Sequence, residues 1–495
     1  MHTPVCLKGG IPSRRNPRYN RDSLVSFEAL EVDVKEAWAL TSTWLQRIIT
    51  EEHTTIRPRH QQGAARPGQK AATIVGREQS REGVSMSRGK FVQSLAVRFL
   101  THFILRIRGF LLIPIIAKLL GVTEYGIWTQ LNISTLLLVP VLTLKLDLAA
   151  AHYLSATQEK DHLSRVIFSM LALTVITCLL FCVLGFIFQE RLAVFILGNA
   201  SGSTYLMPFL LLVPVVALRQ FTMNYYWVFS RIARYSVLEV LENIGLVVTV
   251  VLTIVLFAAA LTLVLWSLVA FEAIIAAYLL LSISGELGIT LPRLSILKPY
   301  LKYSMPLIPS GILMWTIYFS DRYVITHFLG LDSVAIYSIA YALGSITAFA
   351  LAPVSFVLLP HISHLWNQGK TSQVRAYLER SMLCFLVIAI PSAVGIVSLT
   401  AQLFSVFAGE TLIIPSLLVP LVSTGAVLHG IYQILMYVLH LSEKTTLIFL
   451  WVLLAAGTNL ILNIVFAPRF WYGCCDCDYT CFISNTRCGD DYAFT

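Results

Sequence analysis

Arg98, His102 and Arg106 stand four residues apart in an otherwise apolar stretch, VRFLTHFILRIRGFLLIPII. On a helix this spacing puts all three on one face, with Arg108 off it. A guanidinium stays charged and grips phosphate oxygens bidentately, so such a row suits an anionic ligand. Asp321, Arg322 and His327 form a second set, inside YFSDRYVITHFLG. If these stretches cross a membrane, each ionisable group costs about 2.5–3.5 kcal/mol or more at bilayer depth and should face a cavity or a partner. The plainer reading is that Arg98 snorkels to the nearby interface and that Asp321 and Arg322 neutralise their neighbours. Arg106 is deeper and harder to place that way. Arg106 and Arg322 are therefore expected to be required for function, and Arg108, off the face, to tolerate alanine. Asp147, Glu239, Glu242 and Glu272 fall in or at the ends of other apolar stretches.

None of this is catalytic chemistry. The chain has no phosphate-binding GxxxxGK[ST] loop, no HExxH, no GxSxG and no kinase motif set. HISH at 361–364 places two histidines without nearby carboxylates, so the expectation is no enzyme, no metal and no cofactor.

The elements that must carry these residues follow from composition. The 495 residues are 57% hydrophobic and 13% charged, about half the charge of a soluble domain. Residues 1–90 are polar and Arg-rich, while 91–470 are apolar with short charged breaks. That pattern means an all-α polytopic membrane protein, and the net charge of +9 reflects basic loops, not nucleic-acid binding. Runs of about 20 apolar residues mark eleven spans, near 95–119, 124–144, 166–188, 204–221, 236–258, 260–283, 303–327, 334–358, 380–401, 411–435 and 446–467. Counted over the intervening loops with Arg219 assigned to one of them, Lys and Arg divide thirteen to three between the two sides. The positive-inside rule then starts the first span in the cytoplasm of a cell (inner) membrane.

Two turns echo each other. LLGVTEYGIW (119–128) and FLGLDSVAIY (328–337) align Gly121 with Gly330, Ile127 with Ile336 and Trp128 with Tyr337. Six spans separate them, so both face the same way, which implies parallel repeats about an axis along the membrane normal.

The stretch KYSMPLIPSGILMWTIYFSDRYVITHFLGLDSVAIYSIAYAL (302–343) resembles the Wzx-type polysaccharide and O-antigen flippases of the multidrug/oligosaccharidyl-lipid/polysaccharide exporter superfamily. Pro306, Pro309, Asp321, Arg322, Leu329, Gly330, Tyr337 and Ser338 carry the likeness, and AKLLGVTEYGIW and YYWVFSRIARYSVLE (225–239) are similar to family segments as well. The resemblance implies two six-helix lobes around a central cavity, 86–285 and 286–470. It implies transport of a polyprenyl-diphosphate-linked oligosaccharide between leaflets, with polysaccharide polymerase and chain-length proteins as partners. By the same analogy Arg98, His102, Arg106, Asp321 and Arg322 would meet the substrate. A lipid II flippase or a multidrug cation antiporter would share the fold; a membrane glycosyltransferase would need large carboxylate-bearing external loops, and these are short.

Family chains have 12 or 14 spans against eleven here, and begin close to span one. Residues 1–85 are thus expected to be a disordered extension preceding Met86. Five of nine cysteines crowd 471–495, and the codons for WYGCCDCDYTC, read one base later, encode small and apolar residues. The tail is expected to be out of frame at the place of a twelfth span. Cys178, Cys182 and Cys384 read as small apolar fillers.

Overall fold

The computed structural model describes residues 107–479, apart from 156, 158, 258–259, 410–416 and 443–444. Arg98, His102, Arg106, the segment 1–85 and the end of the Cys-rich tail lie outside the described residues.

The described residues are mostly helical, and no strand occurs among them. The first span runs as α1 over 107–119. It is followed by α2 (Val122–Leu142), α3 (Leu146–Leu154), α4 (Lys160–Ile187), α5 (Gln189–Leu197), α6 (Ser203–Val228), α7 (Ile232–Phe257) and α8 (Leu261–Leu287). The second half holds α9 (Lys298–Ser304), α10 (Leu307–Ser345), α11 (Leu351–Asn367), α12 (Thr371–Ser398), α13 (Thr400–Ala408), α14 (Leu418–Leu441) and α15 (Thr445–Tyr479). Nine helices among the described residues are long and apolar enough to cross a membrane. One of them is a double span, because α10 breaks at Gly330. The first expected span is described only from residue 107 onward, as α1. Leu179, Val183 and Ile187 on α4, and Val255 and Leu256 on α7, stay exposed; in a bilayer such faces meet lipid.

The repeat extends well past the ten-residue echo. Gly121 has φ 113, ψ 165 and Gly330 has φ 83, ψ 175, so the same turn recurs in a region that only glycine enters freely. Next, α4 and α12 are each 28 residues long, and each leads into a nine-residue helix, α5 and α13. Those short helices both end at a glycine of positive φ, Gly198 at 78° and Gly409 at 93°. Two lobes therefore share one chain path, related by a pseudo-two-fold along the bundle axis.

Contacts across that axis support the relation. Thr123 Oγ1 donates to Asp332 Oδ1 at 2.5 Å, across 209 residues, and Gly121 and Gly330 are also 209 apart. A residue can touch its own repeat mate only where the axis passes. From there α2 and the first half of α10 run antiparallel. Ser134 Oγ meets the Tyr323 hydroxyl at 2.6 Å, and Trp315 Nε1 donates to the Ile133 carbonyl at 2.8 Å. At the turn end a Cβ on Gly126 would lie 2.1 Å from the Leu331 carbonyl oxygen. Gly126→Ala is thus expected to force the seam apart, at about 1–3 kcal/mol. The check is disulfide trapping between Thr123→Cys and Asp332→Cys, which should form in the parent and fall severalfold in the Gly126→Ala background.

Two sequence expectations change here. Arg219 is not in a loop: α6 continues to Val228 and holds it inside the bundle, which leaves twelve basic residues on that side against three. Cys182 is more than filler. Pro214 cannot donate to the Leu210 carbonyl one turn back, and the Cys182 thiol approaches that oxygen at 3.5 Å, the kind of side-chain repair that proline needs in a membrane helix.

Candidate functional site

Charge inside the first lobe converges from four helices. A cavity of about 390 Å³ is lined by Arg108 of α1, Asn132 of α2, Arg219 and Gln220 of α6, Glu242 of α7 and Glu272 of α8. Glu242 and Glu272 stand at the middle of their helices, 5% and 2% exposed. Arg219 Nε is 2.5 Å from Glu272 Oε2, and Arg219 Nη2 is 3.7 Å from Glu242 Oε1. The shorter contact is a close ion pair without a well-aligned hydrogen bond. Asn243 Nδ2 donates to Glu242 Oε2 at 2.8 Å. With Arg108 the cavity holds two cations and two carboxylates. An expectation is corrected by this geometry: Arg108 faces two buried carboxylates, so alanine there would remove one of their two counter-charges.

The second lobe holds a different arrangement. Arg322 is buried on α10, and its Nη1 donates to Asp321 Oδ1 at 2.9 Å and to the Tyr318 carbonyl at 3.1 Å. The Tyr337 hydroxyl donates to the other Asp321 oxygen. Phe319, Tyr337 and Tyr341 surround the guanidinium, with Cζ 5.6, 5.2 and 4.5 Å from their ring centroids. Aromatic faces attract a desolvated cation, so the charge of Arg322 is balanced within its own box. The structure brings Asp321 and Arg322 together. His327 stands apart, its Nδ1 2.8 Å from the Tyr323 carbonyl.

Arg219, Glu242 and Glu272 as one cluster were not read from the sequence. One signal was present: the apolar and aromatic run resumes after Arg219 as FTMNYYWVF, which places the arginine inside a span rather than after it. Between the lobes a further hollow of about 300 Å³ lies among Gly109, Phe110 and Ile113 of α1, Tyr125 of α2 and Ala342 and Phe349 of the second lobe. Its walls are mostly apolar.

Two lobes of membrane-spanning helices, each with charged groups inside, make up the described bundle. The chain belongs to the family described as polysaccharide biosynthesis protein, whose model matches residues 91–366. A MatE family model matches residues 306–465. Among solved structures the chain is similar to "Lipid II flippase MurJ, inward closed conformation", at TM-score 0.63 and 15% identity, over 77% of this chain and 82% of that one. It is also similar to "Crystal structure of MATE in complex with MaD3S", at TM-score 0.45 and 15% identity, over 75% and 82%. The first likeness supports the fold. No curated protein matches the chain significantly.

Proposed function

We infer that this chain is a flippase, carrying a polyprenyl-diphosphate-linked oligosaccharide from the cytoplasmic to the outer leaflet by alternating access of its two lobes. The observation that carries this reading is a guanidinium inside each lobe, Arg219 lining the cavity of the first and Arg322 buried in the second. Ionisable groups at membrane depth face a cavity or a partner, and those inside transport bundles mark charged paths. Membership of the polysaccharide biosynthesis family supports the glycan end of the substrate. The turns at Gly121 and Gly330 then face outward, in keeping with twelve basic residues against three. By the family resemblance, Arg98, His102 and Arg106 of the first span and the Asp321–Arg322 pair of the second lobe would meet the diphosphate.

Export of an organic cation draws support from Glu242 and Glu272. Their charge is matched by Arg219 and Arg108, so the cavity carries no net negative charge to attract a cation. Lipid II is a narrower version of the same substrate chemistry, and the choice between the two glycans belongs to the assay. In proteoliposomes, a fluorescent polyprenyl-diphosphate-linked oligosaccharide is expected to exchange between leaflets only when the protein is present, while an organic cation is not transported.

A further inference from the structure

Lys145 occupies a backbone position that lysine does not favour. The second span, α2, ends in a Schellman-type cap: the Leu144 N–H donates to Val141 O at 3.1 Å and the Lys145 N–H to Pro140 O at 3.2 Å. Such a cap needs one left-handed residue, usually glycine. Here Leu144 takes that place at φ 51, and Lys145 follows it at φ 52, ψ 26. Two consecutive non-glycine residues in this region persist only where the surrounding structure over-determines them, and such positions cluster at functional sites. The second left-handed residue turns the chain into α3 and sends the Lys145 side chain across to the other lobe. A Cβ on Gly311 of α10 would lie 3.4 Å from Lys145 Cε and 3.7 Å from Nζ, so the missing side chain at Gly311 leaves the ammonium room in the seam.

Charge balance separates this cation from Arg219 and Arg322. Arg219 has Glu272 and Glu242, and Arg322 has Asp321. Among the described residues Lys145 makes no ion pair. The carboxylate nearest in sequence, Asp147, accepts from Asn224 Nδ2 at 2.9 Å. A cation that is already paired must break that pair before it binds an anion; Lys145 need not.

We propose that Lys145 is the phosphate contact at the cytoplasmic end of the interlobe seam, receiving the diphosphate of the lipid-linked substrate before the buried arginines can. This rests on the flippase reading above. Phosphate oxygens are also offered by ordinary anionic lipids, and the test separates the two sources.

The experiment uses the full chain in nanodiscs of phosphatidylcholine alone, with a fluorescent polyprenyl-diphosphate-linked N-acetylhexosamine as probe. Lys145→Gly removes the charge and at the same time relieves the left-handed backbone. It is expected to weaken probe binding by at least about tenfold while melting no lower than the parent. Lys145→Arg should bind within about threefold of the parent, because it keeps a phosphate-binding cation. Unchanged binding by Lys145→Gly would overturn the proposal, as would a defect accompanied by a lower melting temperature. A defect that appears only when phosphatidylglycerol is added assigns Lys145 to bulk lipid and also overturns it. Binding that depends on Lys145 in a protein that fails to exchange the probe between leaflets would uphold the contact and refute the flippase.

Discussion

An Arg219→Ala chain is expected to lose on the order of 3–5 kcal/mol of stability and to aggregate on extraction into detergent. The arginine is the only cation within 4 Å of either Glu242 or Glu272 among the described residues, and both carboxylates are buried. Removing it leaves two like charges in one cavity with only Arg108 facing them. Arg219→Lys should lose less, since it keeps the charge but gives up the fork that reaches two carboxylates. Adding Glu272→Gln to Arg219→Ala should recover part of the loss, because one orphaned charge is removed with its partner. Thermal melting by intrinsic fluorescence in one fixed detergent reads all three. A parent-like melting point for Arg219→Ala would show that the cluster is not held together by this ion pair.

The second large effect is expected at the Asp321–Arg322 pair. Arg322→Ala should abolish leaflet exchange of the diphosphate-linked probe and also lower the melting temperature. It strands Asp321, which then keeps only the Tyr337 hydroxyl and backbone as partners. Arg322→Lys keeps the charge among Phe319, Tyr337 and Tyr341 but cannot donate as a planar fork, so partial exchange is expected. Asp321→Asn is the informative variant. It frees the Arg322 charge without removing it, and a parent-like melting point with altered probe affinity would show that the pair tunes binding. If Arg322→Ala exchanges the probe at the parent rate, the second-lobe arginine has no part in the substrate path.

The span pattern and the repeat were legible because both are written in local sequence. Apolar length marks a span wherever it occurs. Gly121 and Gly330 are visible because their backbone angles, 113° and 83° in φ, exclude most other residues. The twin helices α5 and α13 were not legible: QERLAVFIL and TAQLFSVFA share little beyond length and a following glycine. The first-lobe cluster was missed for a different reason. Its four charged members come from α1, α6, α7 and α8, and a window along the chain sees each as a lone blemish in an apolar run. What makes Arg219 tolerable is a carboxylate on another helix, and pairing across helices leaves no periodic trace. Lys145 was counted only as a loop cation. Nothing in TLKLDL signals a left-handed turn, since neither Leu144 nor Lys145 is a turn-forming residue. The first-span row Arg98, His102 and Arg106 lies outside the described residues, so its place in the substrate path stands as a proposal.

The most direct test is leaflet-resolved protection in proteoliposomes containing the purified full chain. A fluorescent polyprenyl-diphosphate-linked oligosaccharide is built into both leaflets, and a membrane-impermeant reagent quenches or cleaves whatever is exposed outside. With the protein present, the reagent is expected to consume the outer-leaflet fraction at once and then the whole pool, at a rate that rises with protein per vesicle. A monophosphate-linked probe of the same glycan should move more slowly, because half of the anionic grip is gone. If the inner-leaflet pool stays protected for as long as it does in protein-free vesicles, while an organic cation is transported, the chain is not a flippase of diphosphate-linked glycans.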